Sequence, residues 1–300
     1  MPRRLATTSL PLLLALAPLP LLAQGRDSAS AAPRAAECPS CAEWNAPHDP
    51  FRIHGNSYYV GTHGLGAILI TSPAGHVLID GGLPESAPRI AASVRALGFR
   101  VEDIRLILNS HAHWDHAGGI AELQRASDAT VAATAWSARV LEQGRSVPGD
   151  PQYSIALAYP AVRDVRVVAD GDTLRVGPIV LTAHVTAGHT PGGTSWSWRS
   201  CEGDRCLDLV YADSQTPVSA DDFQFTRNDS YPSALQDFAR GLAALEGMRC
   251  DVLLTPHPGA SRLWERVAAG TLVDGEACRR YAAAARQAVA RRAAAEARRP

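Results

Sequence analysis

The sequence predicts an α/β protein in which two β-sheets pack together with helices on their outer faces. Three observations predict it. Short apolar runs recur along the chain, separated by Gly, Ser and Pro turns. Segments of helical spacing fall between them. Three histidine-bearing motifs all stand where an apolar run ends.

The elements follow in order. Ser57-Tyr58-Tyr59-Val60, Gly66–Ile70 and His76–Asp80 read as strands. Ala87 to Leu97 has helical spacing and stops at Gly98, a residue suited to a helix C-terminus. The run Ile104–Leu108 is a strand, and a helix follows Gly118-Gly119-Ile120 through Ala126. Further strands are expected at Thr130–Ala133, Val165–Ala169, Ile179–Val185, Thr194–Trp198, Leu207–Tyr211 and Asp251–Leu254. Ala234–Leu245 and the Ala/Arg-rich segment Gly275–Arg299 read as helices. No repeat of 20–50 residues interrupts this order.

The start, Met1-Pro2-Arg3-Arg4 and then a Leu/Ala/Pro run from Leu10 to Ala23, reads as a secretory signal over residues 1–23. The run is too short and too Pro-interrupted for a membrane span of about 20 residues. Residues 24–45 read as a flexible lead-in and 46–300 as one domain. The mature chain is therefore expected in an oxidising compartment, the periplasm. A net charge of −1 gives no argument for nucleic acid or an anionic membrane as partner, and a monomer is expected. All 29 basic residues are Arg.

Six cysteines suit that compartment. Cys201 and Cys206 flank a polar turn between alternating stretches, as in a hairpin stapled at its tip. Cys250 and Cys278 would close a longer loop, worth about 3–4 kcal/mol on the chain-entropy estimate. Cys38-Pro39-Ser40-Cys41 has three readings: a local disulfide, a zinc half-site or a redox pair.

The densest signal is His111-Ala112-His113-Trp114-Asp115-His116, directly after the strand Ile104–Leu108. Imidazole and carboxylate donors suit zinc. Val185-Thr186-Ala187-Gly188-His189 and Leu254-Thr255-Pro256-His257 bring further histidines to strand ends. His111, His113 and His189 would hold a first zinc; Asp115, His116 and His257 would hold a second. Two Zn2+ about 3.5–4 Å apart can share one hydroxide, which then acts as the catalytic nucleophile. His48, His54, His63, His76 and His184 lack such context and are read as structural. Asp80, closing Val77-Leu78-Ile79-Asp80, either caps a turn or orients a metal-bound histidine.

On these motifs the chain resembles the metallo-β-lactamase superfamily over about residues 50–290. That resemblance implies an αββα sandwich of two mixed sheets, with a metal site at one sheet edge and hydrolysis as the reaction. The segment Tyr211-Ala212-Asp213-Ser214-Gln215-Thr216 narrows it. An Asp bridges the two metals here in superfamily lactonases and thioester hydrolases. A Cys stands here in the first two subclasses of class B β-lactamases. The chain is similar instead to the third subclass, in which a Ser replaces that Cys.

The resemblance implies a small-molecule β-lactam substrate, with Ser214 and Thr216 placing its carboxylate and Asp115 handling protons. Successive strand residues face opposite ways, so either Asp213 or Ser214 faces the metals. A lactone or thioester hydrolase is the alternative. His63 stands in a loop where some members carry a Cys, which leaves Cys41 as the partner for Cys38. Trp114 either packs beneath the ligand loop or narrows the groove floor.

Overall fold

The computed structural model describes residues 1–2 and 38–298. Apart from residues 1–2, the expected signal over 1–23 lies outside the described residues, as does 24–37 of the expected flexible lead-in.

Seven strands form the first sheet: β1 Phe51–His54, β2 Ser57–Tyr59, β3 Ile68–Ile70, β4 His76–Ile79, β5 Ile104–Leu108, β6 Thr130–Thr134 and β7 Arg166–Val168. They lie side by side in chain order, antiparallel from β1 to β4 and parallel from β4 to β7. The second sheet holds β8 Thr173–Val176, β9 Ile179–Val185, β10 Thr194–Glu202, β11 Arg205–Tyr211 and β12 Val252–Leu254. Its order is β12-β11-β10-β9-β8, with only β11 and β12 parallel. The helices are α1 Cys41–Trp44, α2 Ala87–Ala96, α3 Trp114–Ala117, α4 Ile120–Ser127, α5 Ala135–Gln143, α6 Ala234–Gly247, α7 Leu263–Ala268 and α8 Ala277–Glu296.

Strand alternation sorts the apolar side chains into layers. Leu69, Leu78, Ile107 and Val131 point outward, onto Ile90, Val94, Ile120, Leu123 and Leu141 of α2, α4 and α5. Their neighbours Ile68, Ile70, Val77, Ile79, Leu106 and Leu108 point inward, onto Leu181, Trp196, Leu209 and Leu254 of the second sheet. Val210 and Leu253 face outward on that sheet and are covered by Leu242 and Leu245 of α6 and Ala282 of α8. The result is the αββα sandwich with two mixed sheets that the resemblance implies.

Six elements escaped the sequence reading: β1, β8, α1, α3, α5 and α7. α5 starts with no turn residue after β6, because Thr134 ends the strand in extended conformation and heads the helix directly. The lead-in also needs correction. Residues 38–45 belong to the folded domain: Thr62 Oγ1 donates to the Trp44 carbonyl at 2.6 Å, and Ser86 Oγ to Asn45 Oδ1 at 2.8 Å. Disulfides join Cys38 to Cys41, Cys201 to Cys206 at the β10–β11 tip, and Cys250 to Cys278. Among the described residues no helix is long and apolar enough to cross a membrane.

Parallel pairing fixes where the site forms. β4 and β5 end on the same edge, and β9, β11 and β12 end on one edge of the second sheet. The two edges are tied together there. Thr194 N donates to the Ser110 carbonyl at 2.8 Å, and Trp196 Nε1 to the Asn109 carbonyl at 3.1 Å. Far along the chain, α8 moors the segment after β11. Arg292 donates to Ser219 Oγ at 2.7 Å, while the buried Glu296 accepts from Thr226 N and Oγ1, both at 2.9 Å.

Trp196 is fully buried between the sheets and reaches the ligand-bearing edge. Trp196→Ala should cost about 3–5 kcal/mol, read as a lower urea midpoint at unchanged slope. A loss below about 1 kcal/mol would contradict this account of the core.

Candidate metal centre

The site is built on the loop after β5. Asp80, just after β4, adopts a left-handed backbone with φ +61 and is fully buried. It accepts hydrogen bonds from Ser110 N (2.8 Å), Ser110 Oγ (2.6 Å), Asn109 Nδ2 (3.2 Å) and Tyr211 Oη (2.9 Å). Burial pushes its carboxyl up, while His116, Ser110 and Tyr211 pull it down. The expectation that Asp80 orients a ligand histidine is corrected here: its hydrogen bonds go to the residues immediately before His111, to Tyr211, and to no imidazole among the described residues. It fixes the loop, not a ring.

Beyond Ser110 the chain is extended through His113 and then turns into the single turn α3, closed by His116 N and Ala117 N donating to the His113 carbonyl. That bend separates the donors. His111 and His113 fall on the extended part, Asp115 and His116 on the turn. His189 arrives from the loop after β9, preceded by Gly188 at φ +138. A Cβ at Gly188 would lie 2.5 Å from the Phe238 ring, so glycine is required there.

The three imidazoles His111, His113 and His189 face one another, with ring centroids 4.8, 4.9 and 5.0 Å apart. Each is held from behind. His111 Nδ1 donates to Asp213 Oδ1 at 2.7 Å, His113 Nε2 to the Asp150 carboxylate at 3.1 Å, and His189 Nδ1 to the Thr216 carbonyl at 2.8 Å. These bonds aim the opposite nitrogens inward. His111 Nε2 is buried with no partner among the described residues. Gln152 Nε2 lies 3.5 Å from His113 Nδ1 and 3.4 Å from His189 Nε2, at the mouth of the same triad.

A second set converges beside it. Asp115 Oδ2 lies 3.1 Å from His116 Nε2 and 3.2 Å from His257 Nε2, and the two imidazole nitrogens are 3.2 Å apart. His257 follows β12, where Thr255 Oγ1 donates to its carbonyl at 2.7 Å. The sets adjoin: the donor atoms of His111, Asp115 and His116 also lie within 4.8 Å of one another.

The electrostatics match a cation site. Burial, reinforced by His116, His113 and His189, holds His111 well below the usual imidazole range. Burial and His113 bring His189 down to about 3. Burial also opposes the charged form of His113, but Asp150 more than offsets it and holds that group above its usual value. For Asp115, burial is outweighed by His116 and His257, which keep it ionised. Inward-facing imidazoles, of which burial keeps His111 and His189 neutral, one ionised carboxylate and an orphaned buried nitrogen are a donor set that zinc fits.

The strand end after β11 resolves the facing question in an unexpected way. Asp213 is fully buried, and its carboxylate stands behind the His111 ring rather than between the two sets. Burial pushes that carboxyl well up. Ser214 is buried next to it, and the exposed Thr216 offers its carbonyl to His189. Trp114 is half-buried and packs against the outer core of the first sheet. Asp150 and Gln152 escaped the sequence reading. They sit in an aperiodic loop, and the one signal for Asp150 is that a ligand histidine needs an acceptor behind it.

A family model described as the metallo-β-lactamase superfamily matches residues 66–265. The chain belongs to the metallo-β-lactamase superfamily. Among solved structures it is similar to the Rm3 metallo-β-lactamase, at 54% identity over 87% of this chain and 99% of that one, with a TM-score of 0.85. It is also similar to MEM-A1, a subclass B3 metallo-β-lactamase from a soil metagenome library, at 47% identity over 85% of this chain and 98% of that one, with a TM-score of 0.83. Among curated relatives, a hydroxyacylglutathione hydrolase of Rhodopseudomonas palustris is 35% identical over 139 residues, 46% of this chain. The chain spans 44% of the length of that relative.

Removing a carboxylate behind an imidazole should loosen the first set alone. Asp213→Ala and Asp150→Ala are each expected to weaken zinc binding at the His111, His113 and His189 set about 10–100-fold in competition with a chromophoric chelator. Unchanged affinity in both would contradict the orienting role.

Proposed function

We propose that the protein is a β-lactamase working with two zinc ions, one held by His111, His113 and His189 and the other by Asp115, His116 and His257. The observation that carries this reading is the direction of Asp213. Its carboxylate bonds to His111 Nδ1 and leaves that strand end without a bridging Asp between the donor sets. The identities of 54% and 47% to proteins described as metallo-β-lactamases, over nearly their whole lengths, support it.

Zinc bound there supplies Lewis acidity toward a carbonyl and a water made nucleophilic near neutral pH. The protein's own groups do the rest. Asp115, kept ionised by His116 and His257, takes the proton that water gives up on attacking the lactam carbon. As the C–N bond breaks, that proton passes to the departing nitrogen. Ser214 and Thr216 receive the substrate carboxylate, a task that falls to hydroxyls in a chain without lysine. No side chain attacks, so no acyl-enzyme forms. We further infer that the chain works as a secreted periplasmic monomer and confers antibiotic resistance; its three disulfides accord with an oxidising compartment.

A lactone or thioester hydrolase is the second reading, favoured by the curated relatives described as hydroxyacylglutathione hydrolases. The two readings separate in one assay. Zinc-loaded protein should open a chromogenic cephalosporin, a penicillin and a carbapenem without a burst, lose that activity to EDTA and regain it with zinc. Hydrolysis of S-lactoylglutathione or a lactone with no turnover of any β-lactam would reverse the assignment. Asp115→Asn should lower kcat about 10²–10⁴-fold; a fall of less than tenfold would remove Asp115 from proton handling.

A further inference from the structure

His257 is held differently from the three imidazoles of the first set. Each of those is anchored by a hydrogen bond from its outward nitrogen. Among the described residues none reaches His257 Nδ1, and the His257 side chain is 32% exposed. Its ring lies instead against Trp44, with centroids 5.1 Å apart and planes inclined at 54°. Trp44 also meets Trp114 at 5.9 Å, the residue between His113 and Asp115. One indole therefore touches both loops that supply the second set.

Trp44 is itself seated by a local device. The Cys38–Cys41 disulfide heads α1, the one-turn helix that ends at Trp44, and Cys38 is buried. Thr62 Oγ1 and Gly64 N both donate to the Trp44 carbonyl, at 2.6 and 3.1 Å. A Cβ at Gly64 would stand 2.6 Å from the Trp44 Cα, so only glycine lets this turn close.

We infer that Trp44, presented by the Cys38–Cys41 turn, is a positioning residue for the second metal. Packing replaces the missing hydrogen bond: the indole restricts rotation of the His257 ring so that Nε2 stays directed at Asp115 and His116. The inference rests on the two-zinc reading above. It makes the N-terminal turn a part of the site, and it makes the affinity of one ion, not of both, depend on that turn.

Titration of the metal-free protein with Zn2+ against a chromophoric chelator tests it. The unaltered protein should bind two ions. Trp44→Ala should weaken the second about tenfold or more, the range seen when a ligand's supporting partner is lost, with the first unchanged. Trp44→Phe should recover most of the loss, and the double variant Cys38→Ser/Cys41→Ser should weaken the same ion alone. Trp44→Leu, which keeps apolar bulk, carries the test if Trp44→Ala does not fold. Two ions bound with unaltered affinities in the Trp44 variants, or both ions weakened alike, would overturn the positioning role while leaving the two-zinc reading intact. Uptake of a single ion by the unaltered protein would overturn both.

Discussion

The Asp80 carboxylate is buried at the seam between the sheets, and the geometry of the metal centre depends on its being satisfied there. A charge in that position is costly unless hydrogen bonds compensate it. The compensation comes from both sheets: Ser110 and Asn109 follow β5, and Tyr211 ends β11. The same four bonds thus stabilise a buried carboxylate, clamp two layers together and set the start of the ligand loop. His111 follows Ser110 directly, so its position is fixed by the way the sheets dock.

Further out, the logic repeats with different groups. Asp213 from the second sheet reaches the ring of His111 from the first, and Asp150 from the 145–159 loop reaches His113. Each ring is fixed by a residue from a part of the chain other than its own. The centre is therefore a product of assembly, and its precision derives from sheet packing more than from loop rigidity.

Much of this was legible in the sequence. Alternation and turn residues marked most of the strands, because a two-layer core imposes period two on both inner faces. The six candidate donors stood out because they lie in the segments where apolar runs stop. What was hidden has a common cause. Asp150, Gln152 and the ring contact of Trp44 involve partners distant in sequence, carried on aperiodic segments that leave no pattern. Asp213 was visible as a candidate, but the choice between facing the metals and facing away omitted a third position, behind a ligand. Asp80 was assigned to the right neighbourhood and the wrong partner for the same reason: a carboxylate's hydrogen bonds are set by what tertiary packing brings to it.

The mooring of the 217–226 segment by Arg292 and Glu296 has a temporal consequence. The candidate donors are scattered from His111 to His257, and the segment beside His189 is secured in part by the far end of α8. During synthesis the early histidines emerge long before the residues that orient them. A chain that stops short of α8 lacks the bonds that Arg292 and Glu296 give to the 217–226 segment. The bonds that α8 gives this segment are thereby among the last of the site's supports to form.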